Sequence, residues 1–311
     1  MNISKLLSFI TDESDRKTAL AVRGFYANMS DEDFLKMMFK ARMGTELDLN
    51  EPKTFNEKLQ WLKIYNRRPE YSQMVDKYGA KQYVSGIIGD EYIIPTIGVW
   101  DRAEEIDFDS LPNQFVLKCT HDSGGLVICK DKSKLDIKRA RKVLNHALKT
   151  KFYRSGREWV YEGVKPRIIG EKYMEDQATG ELRDYKFFCF NGKVDCVMVC
   201  YDRGSGETKY YFFDKSWNLL KYNIRGKNAP EGFTMPKPSN MDEMFEVAAK
   251  LSSGLPFSRI DLYSVEGRTY FGEITFFPAS GFDPNLLNET DLHWGSMIDL
   301  SKIKLEAERH V

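Results

Sequence analysis

Asn191-Gly192 stands between two apolar, strand-like runs, residues 184–190 and 193–200. Asn-Gly supplies the two positive φ values of a type I′ turn, so the flanking runs are predicted to pair as adjacent antiparallel strands. Glu266-Gly267 repeats the arrangement between residues 257–264 and 268–274, and a tight loop joins residues 113–120 to 125–130. Further strands are expected at residues 167–174 and 208–213, with a short one in EYIIPTIGVW. Parallel neighbours would need a crossover of a dozen or more residues between each pair. A chain of hairpins has no room for one, and the predicted class is α+β rather than a wound parallel sheet.

The first ninety residues carry helical spacing instead. Ser30 precedes DEDFLKMMFKARMG, with acids in the first turn and bases in the last, as the helix dipole favours. Thr54-Phe55-Asn56-Glu57 is a capping box, and Phe55, Leu59 and Leu62 share one face of the helix it opens. Residues 71–86 read as a third helix and 133–149 as a basic one. Asn240 is expected to cap MDEMFEVAAKLSSG, and a last helix to follow Gly295.

Lys plus Arg and Asp plus Glu number 46 each, a balance that argues against a dedicated nucleic-acid binder. Five cysteines lie singly in apolar runs with no C-x-x-C pair, which fits buried thiols in a reducing compartment. The N-terminal MNISKLLSFITDESDRK is too weakly apolar for a signal peptide, and no run of about 18 apolar residues exists to cross a membrane. The expectation is a cytoplasmic protein with no transmembrane segment, peripheral membrane contact being left open.

Three segments each make sense as one wall of a nucleotide site. In Phe115-Val-Leu-Lys118-Cys-Thr-His121-Asp122-Ser123-Gly124-Gly125, an apolar strand delivers one lysine and a small polar loop follows. An ammonium in an apolar run needs a partner, and phosphate oxygens suit it. The loop's backbone N–H groups could cradle the outer phosphates. An exposed edge-strand lysine followed by an ordinary turn would read the same way. In the second segment, Ile168 to Met174 is followed by Asp184-Tyr-Lys186. Asp184 and Lys186 sit two apart on a strand and face one side, fit for a ribose and a phosphate or for a plain salt bridge. In the third, the turn at Glu266-Gly267 brings Asp261 opposite the Glu273 end of the next strand, with Thr275 on the same face. Facing carboxylates repel unless a cation or a proton lies between them. Mg²⁺ takes one or two such carboxylates plus phosphates; two surface acids beside Arg259 and Arg268 are the alternative. His121 could touch phosphate or merely stabilise its loop, and His146, His293 and His310 have no partner pattern. Residues 130–142 read as a solvated basic helix face. Tyr210 to Phe213 with Trp217 offer a glycan platform or core packing.

In this order the segments resemble the ATP-grasp superfamily over about residues 75–285, and more narrowly the TupA-like (teichuronopeptide-biosynthesis) ATP-grasp proteins of surface-polysaccharide gene clusters. Lys53-Thr-Phe-Asn-Glu-Lys58, Asp76-Lys77-Tyr78, Phe115 to Lys118 with His121 to Gly125, and Gly272-Glu-Ile-Thr275 with Pro278-Ala-Ser-Gly281 carry the closer likeness. The resemblance implies that Lys77 and Lys118 reach the nucleotide phosphates and that Asp122 to Gly125 form the mobile loop over them. It puts Glu171 at the adenine edge and Lys172, Tyr173 and Met174 at the hinge that reads adenine. Asp184 would hold the ribose, with Lys186 where related ligases carry Arg. Arg203 would match a later basic residue of the family near the transferred phosphate. Arg259 precedes the metal carboxylates Asp261 and Glu273. Thr275 departs from the family's Asn, and a hydroxyl is a weaker metal ligand than an amide carbonyl. Many relatives open with a βαβ domain that helps to bind the acceptor. This chain opens with helices, and no acceptor site is carried over.

The implied fold is two α+β lobes with ATP between antiparallel sheets: an N-terminal helical region at 1–75, one lobe at 76–165 and the other at 166–311. The implied activity is an ATP- and Mg²⁺-dependent carboxylate–amine ligase acting through an acyl-phosphate on a small-molecule or glycan-linked substrate, in surface or capsular polysaccharide synthesis. Lys118, Lys186 and Arg259 are the expected catalytic residues. A kinase on the same scaffold, a glycosyltransferase or a non-catalytic glycan-binding protein are the alternatives.

Overall fold

The computed structural model describes residues 12–122, 124–177, 180, 182–201 and 208–303. Ser123, Arg203 and His310 lie outside them. Among the described residues five helices come first: α1 (Glu13–Val22), α2 (Asp31–Met43), α3 (Phe55–Tyr65), α4 (Glu70–Val75) and α5 (Gly79–Ile88). Ser30 caps α2 through the Asp33 N–H, and both halves of the capping box form at Thr54 and Glu57.

Two antiparallel sheets follow. The smaller is ordered β1-β4-β2-β3, from β1 (Thr96–Trp100), β2 (Phe115–Cys119), β3 (Leu126–Cys129) and β4 (Ile168–Lys172). Helix α6 (Ile137–Leu148) packs Ala140, Leu144 and Ala147 against it. The larger is ordered β10-β9-β5-β6-β7-β8. It consists of β5 (Asp184–Phe190), β6 (Lys193–Tyr201), β7 (Lys209–Phe213), β8 (Leu219–Leu220), β9 (Ser258–Val265) and β10 (Arg268–Thr275). Asn191 (φ 49°) and Gly192 (φ 80°) turn one hairpin, Glu266 (φ 51°) and Gly267 (φ 74°) the other, as the turn chemistry predicts.

Between β8 and the end lie α7 (Ile224–Lys227), α8 (Met241–Leu251) and α9 (Asn288–Met297). The fully buried Trp294 of α9 stacks on Phe188 with ring centroids 4.6 Å apart and meets Phe55 of α3 edge-on at 5.2 Å. Its Nε1 donates to Asp195 at 2.9 Å. Aromatic pairs of this kind contribute about 1 kcal/mol beyond the area they bury. Among the described residues all five cysteines are buried and reduced, and no helix is long and apolar enough to cross a membrane.

Three expectations need correction. The helix predicted over 71–86 is two, because Asp76 leaves the helical conformation (φ −67°, ψ 112°) and its carboxylate accepts from Arg167 at 2.7 Å and the Tyr78 N–H at 3.2 Å. Asn240 precedes α8 without capping it; its side chain bonds Thr269 and Ser264 instead. The last helix contains Gly295 rather than following it. Strand β4 pairs with β1 and β2 in the smaller sheet. Phe55, Leu59, Leu62 and Tyr71 of the N-terminal helices belong to the core of the larger sheet.

Gly295 is where α9 crosses the start of α3. A Cβ there would lie 2.8 Å from the Thr54 carbonyl carbon and 2.9 Å from the Phe55 nitrogen, both backbone. Backbone cannot swing aside, so Gly295→Ala is expected to cost about 3 kcal/mol. A urea melt checks this; an unshifted midpoint would contradict the crossing.

Candidate active site

The strand alternation that buries one face of the larger sheet turns its charged residues to the other. Lys186 of β5 lies opposite Asp261 of β9, which lies opposite Glu273 of β10. Gly272 is the extra residue of a bulge that puts Glu273 in register with Asp261. Glycine is required there because a Cβ would come within 2.9 Å of the Asp261 carbonyl oxygen. Arg259 gathers the group: Nε donates to Asp261 Oδ1 at 2.7 Å and Nη2 to Oδ2 at 2.8 Å. Nη2 also reaches Glu273 Oε1 and Thr275 Oγ1, each at 3.1 Å. Lys186 donates to Asp261 as well and lies 3.8 Å from Asp184. Burial raises the Asp261 carboxyl above its ordinary value, against the pull of Arg259 and Lys186. For Glu273 desolvation is outweighed by Arg259, Lys186 and Lys77, which draw it down to about 2.

The smaller sheet contributes a second cluster. Lys118 of β2 meets Glu171 of β4 at 2.5 Å, and Lys81 of α5 meets the other oxygen of Glu171 at 2.7 Å. Desolvation of Glu171 is overcome by these two cations, and its pKa is lowered. Lys77 sits in the break between α4 and α5. Its N–H donates to the Thr120 carbonyl at 3.1 Å and its ammonium to the Asp122 carbonyl. Burial lowers the Lys77 pKa, opposed by Glu273 from the other sheet. Tyr263 is raised by burial and then by Asp184, Glu273, Asp261 and Glu171 together. Carboxylates of both sheets thus lie within electrostatic reach of Tyr263.

The glycine loop is described except at Ser123. The Asp122 carboxylate accepts from the Gly125 N–H at 3.1 Å, so that N–H faces the loop's own acid. Gly125 is needed for packing: a Cβ would collide with Cys119 Sγ at 2.7 Å. Gly124 has open space around its Cα. His121 is buried and its Nε2 lies 3.2 Å from the Thr150 carbonyl, which makes it a loop anchor. Lys172, at the end of β4, donates its N–H to Pro95 at 3.0 Å. Beyond it Tyr173 bonds Glu175, and Met174 is half-buried.

Sequence reasoning missed Lys81, and it missed a cradle behind the loop after β10. Ala279 (φ 49°), Ser280 (φ 53°) and Gly281 (φ 65°) hold three successive positive φ values, a strained run for non-glycine residues. Asn56, Gln60 and Lys63 of α3, all fully buried, line up at spacings of four and three. Gln60 donates to the Ser280 and Gly281 carbonyls. Lys63 donates to Ser280 at 2.7 Å, Gly156 at 2.6 Å and Gln60 at 2.9 Å. The Asn56 oxygen accepts from the Asp283 N–H at 2.9 Å. Burial pulls the Lys63 ammonium down to about 7 and pushes the neighbouring Glu158 carboxyl up. Ser280 donates to Glu158 from the loop side.

Mg²⁺ prefers carboxylate oxygens completed by phosphates. Glu273, with 43% of its side chain exposed, fits that demand. Asp261, 1% exposed, has both oxygens on Arg259 and Lys186 and fits it only if Arg259 yields. Thr275 reaches the set through Arg259 and Glu273.

The family model described as TupA-like ATPgrasp matches residues 57–299. The chain belongs to that family, and its α+β fold of two antiparallel sheets is the ATP-grasp fold. No curated protein matches it. Among solved structures it is similar to D-alanine–D-alanine ligase from Bacillus anthracis complexed with ATP, at 14% identity and TM-score 0.43, over 96% of this chain and 95% of that one. It is also similar to D-alanine–D-alanine ligase from Helicobacter pylori, at 18% and 0.42 over 79% and 69%. A third is the ATP-grasp ligase PsnB with its minimal precursor, at 10% and 0.39 over 71% and 59%. The chain thus spans less than two thirds of the PsnB ligase's length.

Two outcomes are expected. Lys63→Met should cost about 3 kcal/mol by leaving the Gly156 and Ser280 carbonyls without their donor and by removing the nearby positive charge that Glu158 feels most. The double variant Lys63→Met/Glu158→Gln should be less destabilised than the sum of the two changes; strict additivity in urea melts would sink the coupling. Glu273, lowered from 4.5 to about 2, contributes stability that is complete above pH 4.5 and lost as pH falls toward 2. The stability gap between wild type and Glu273→Gln should therefore narrow across that window. A constant gap would refute it.

Proposed function

We propose that this chain is an ATP- and Mg²⁺-dependent carboxylate–amine ligase. What supports the reading is that Lys77, in the break between α4 and α5, and Lys118 of the smaller sheet are in electrostatic contact with each other, and Lys77 with Glu273, which Lys186 and Arg259 of the larger sheet also hold. The carboxylates that hold them are buried and prepositioned. ATP phosphates would lie between these cations. A substrate carboxylate would attack the γ-phosphorus to give an acyl-phosphate and ADP, and an amine would displace the phosphate to leave an amide. Lys186 and Arg259 would steady the charge of the transferred phosphoryl group, and Lys118 the charge nearer the leaving ADP. Such catalysis is positioning and fixed electrostatics. Mg²⁺ held on Glu273, when bound, would neutralise the outer phosphate oxygens.

Asp184 would take the ribose, and the backbone about Lys172 to Met174 the adenine edge. Glu171 has the further task of holding Lys118 and Lys81 in place. The family resemblance extends the reading to a cytoplasmic step of surface-polysaccharide assembly on a small-molecule or glycan-linked acceptor.

Calorimetric titration with ATP, with and without Mg²⁺, tests the nucleotide site. Binding should strengthen with Mg²⁺. Lys118→Ala should lose about 2 kcal/mol, the worth of a hydrogen bond to a charged group, or roughly thirtyfold in Kd. Wild-type protein that ignores millimolar ATP would defeat the proposal.

A further inference from the structure

Beside Lys186 and Arg259 a cavity of about 780 Å³ opens between β7, α7 and the loop after β10. It is large enough for a small substrate in addition to the reacting phosphate. Its charges are unevenly placed. Lys186 and Arg259 stand on the sheet floor, and Arg225 comes from α7. Among the described residues that line it, Asp283 brings the only carboxylate. Tyr210, Asn228 and Asn285 add hydrogen-bonding rims that suit a polar body.

Asp283 is held where it is. Its N–H donates to Asn56 of α3, and its Oδ1 accepts the Asn285 N–H at 3.0 Å. Burial pushes its carboxyl above the ordinary aspartate value. An ammonium entering a half-enclosed space lined by Lys186, Arg259 and Arg225 is drawn to the acid among them. A cavity meant for a carboxylate alone would need no acid.

Building on the ligase reading, we propose that this cavity receives both partners, the substrate carboxylate against Lys186 and Arg259 and the amine against Asp283, which makes Asp283 the residue that selects and delivers the amine. The incoming ammonium gives one proton to the Asp283 carboxylate and its nitrogen lone pair attacks the acyl carbon. The carbon–oxygen bond to phosphate breaks, and the second nitrogen proton leaves with the departing phosphate as hydrogenphosphate. Asp283 then returns its proton to solvent. The chemistry asked of the first partner is a carboxylate on a hydroxyl- or amide-bearing body, either a sugar acid or an amino acid.

Hydroxylamine separates the two halves of the reaction. It is small and largely uncharged at neutral pH, so it intercepts an acyl-phosphate as a hydroxamate without a carboxylate to guide it. Wild-type protein with ATP and Mg²⁺ is offered D-glucuronate, D-galacturonate or L-glutamate, each with hydroxylamine or with each of the common L-amino acids as amine. The acid that yields hydroxamate says which source of carboxylate is used. Asp283→Asn is then expected to lower amide formation at least tenfold relative to hydroxamate formation, with Asp283→Glu recovering part of it. An unchanged ratio overturns the assignment, whether both products persist or both fall together; the latter would mark Asp283 as a support of its loop. ATP titration of each variant reports whether the nucleotide site is still formed. Wild-type protein that gives no hydroxamate and no ADP with any of the three acids would instead bring down the ligase reading, and this inference with it.

Discussion

Arg259 grips both oxygens of Asp261 and still reaches Glu273 and Thr275. Three strands of the larger sheet meet in that one guanidinium: its own, that of Lys186 across Asp261, and that of Glu273 beyond the bulge. Such a buried set is poor value as stability, because the desolvation of each ion offsets most of the attraction. It is better understood as geometry. Removing one member would leave charges buried without a partner, so the arrangement persists, and the carboxylate of Glu273 is left part-exposed at its rim.

The loop after β10 depends on that geometry from one side and on α3 from the other. Three successive residues with positive φ cost on the order of 1 kcal/mol or more at each non-glycine position, and the surroundings must hold them. The amide of Gln60 and the ammonium of Lys63 do so at the Ser280 and Gly281 carbonyls, and Asn56 fixes the backbone of Asp283. Trp294 locks α3 to the sheet through Phe55. The N-terminal helices are thus part of the site. A shift of α3 would move the cavity wall that carries Asp283.

The hairpins were legible because Asn-Gly and Glu-Gly turns leave the flanking residues one way to pair. The capping box was legible because its two bonds are local. Lys118 was legible as a charge inside an apolar strand, where it needs a partner, and Asp261 and Glu273 as carboxylates that a hairpin brings opposite each other. What failed were cases in which a distant element decides. Asp76 stops a helix only because Arg167, ninety residues on, draws its carboxylate away. Asn56, Gln60 and Lys63 repeat at helical spacing on a polar face, which in sequence is indistinguishable from a solvated one. It is the approach of residues 280–283 that buries it. The allegiance of β4 to the smaller sheet is likewise a matter of tertiary pairing, and Lys81 has no signal beyond lying one helical turn after Lys77.

The same cradle explains why a carboxylate can serve in a cavity floored by cations. A free aspartate there would swing toward Lys186 or Arg259 and neutralise the charge needed for a phosphoryl group. Asp283 is denied that motion on two counts. Its backbone is pinned by Asn56, and its side chain accepts the Asn285 N–H two residues on, which turns the chain into an Asx-type bend. Lys186 and Arg259 are in turn already satisfied by Asp261, buried beneath them. Separating positive and negative groups within one cavity therefore takes a second layer on each side, Asp261 under the cations and α3 behind the acid. Two reacting partners of opposite charge can then approach each other without the site's own charges collapsing together first.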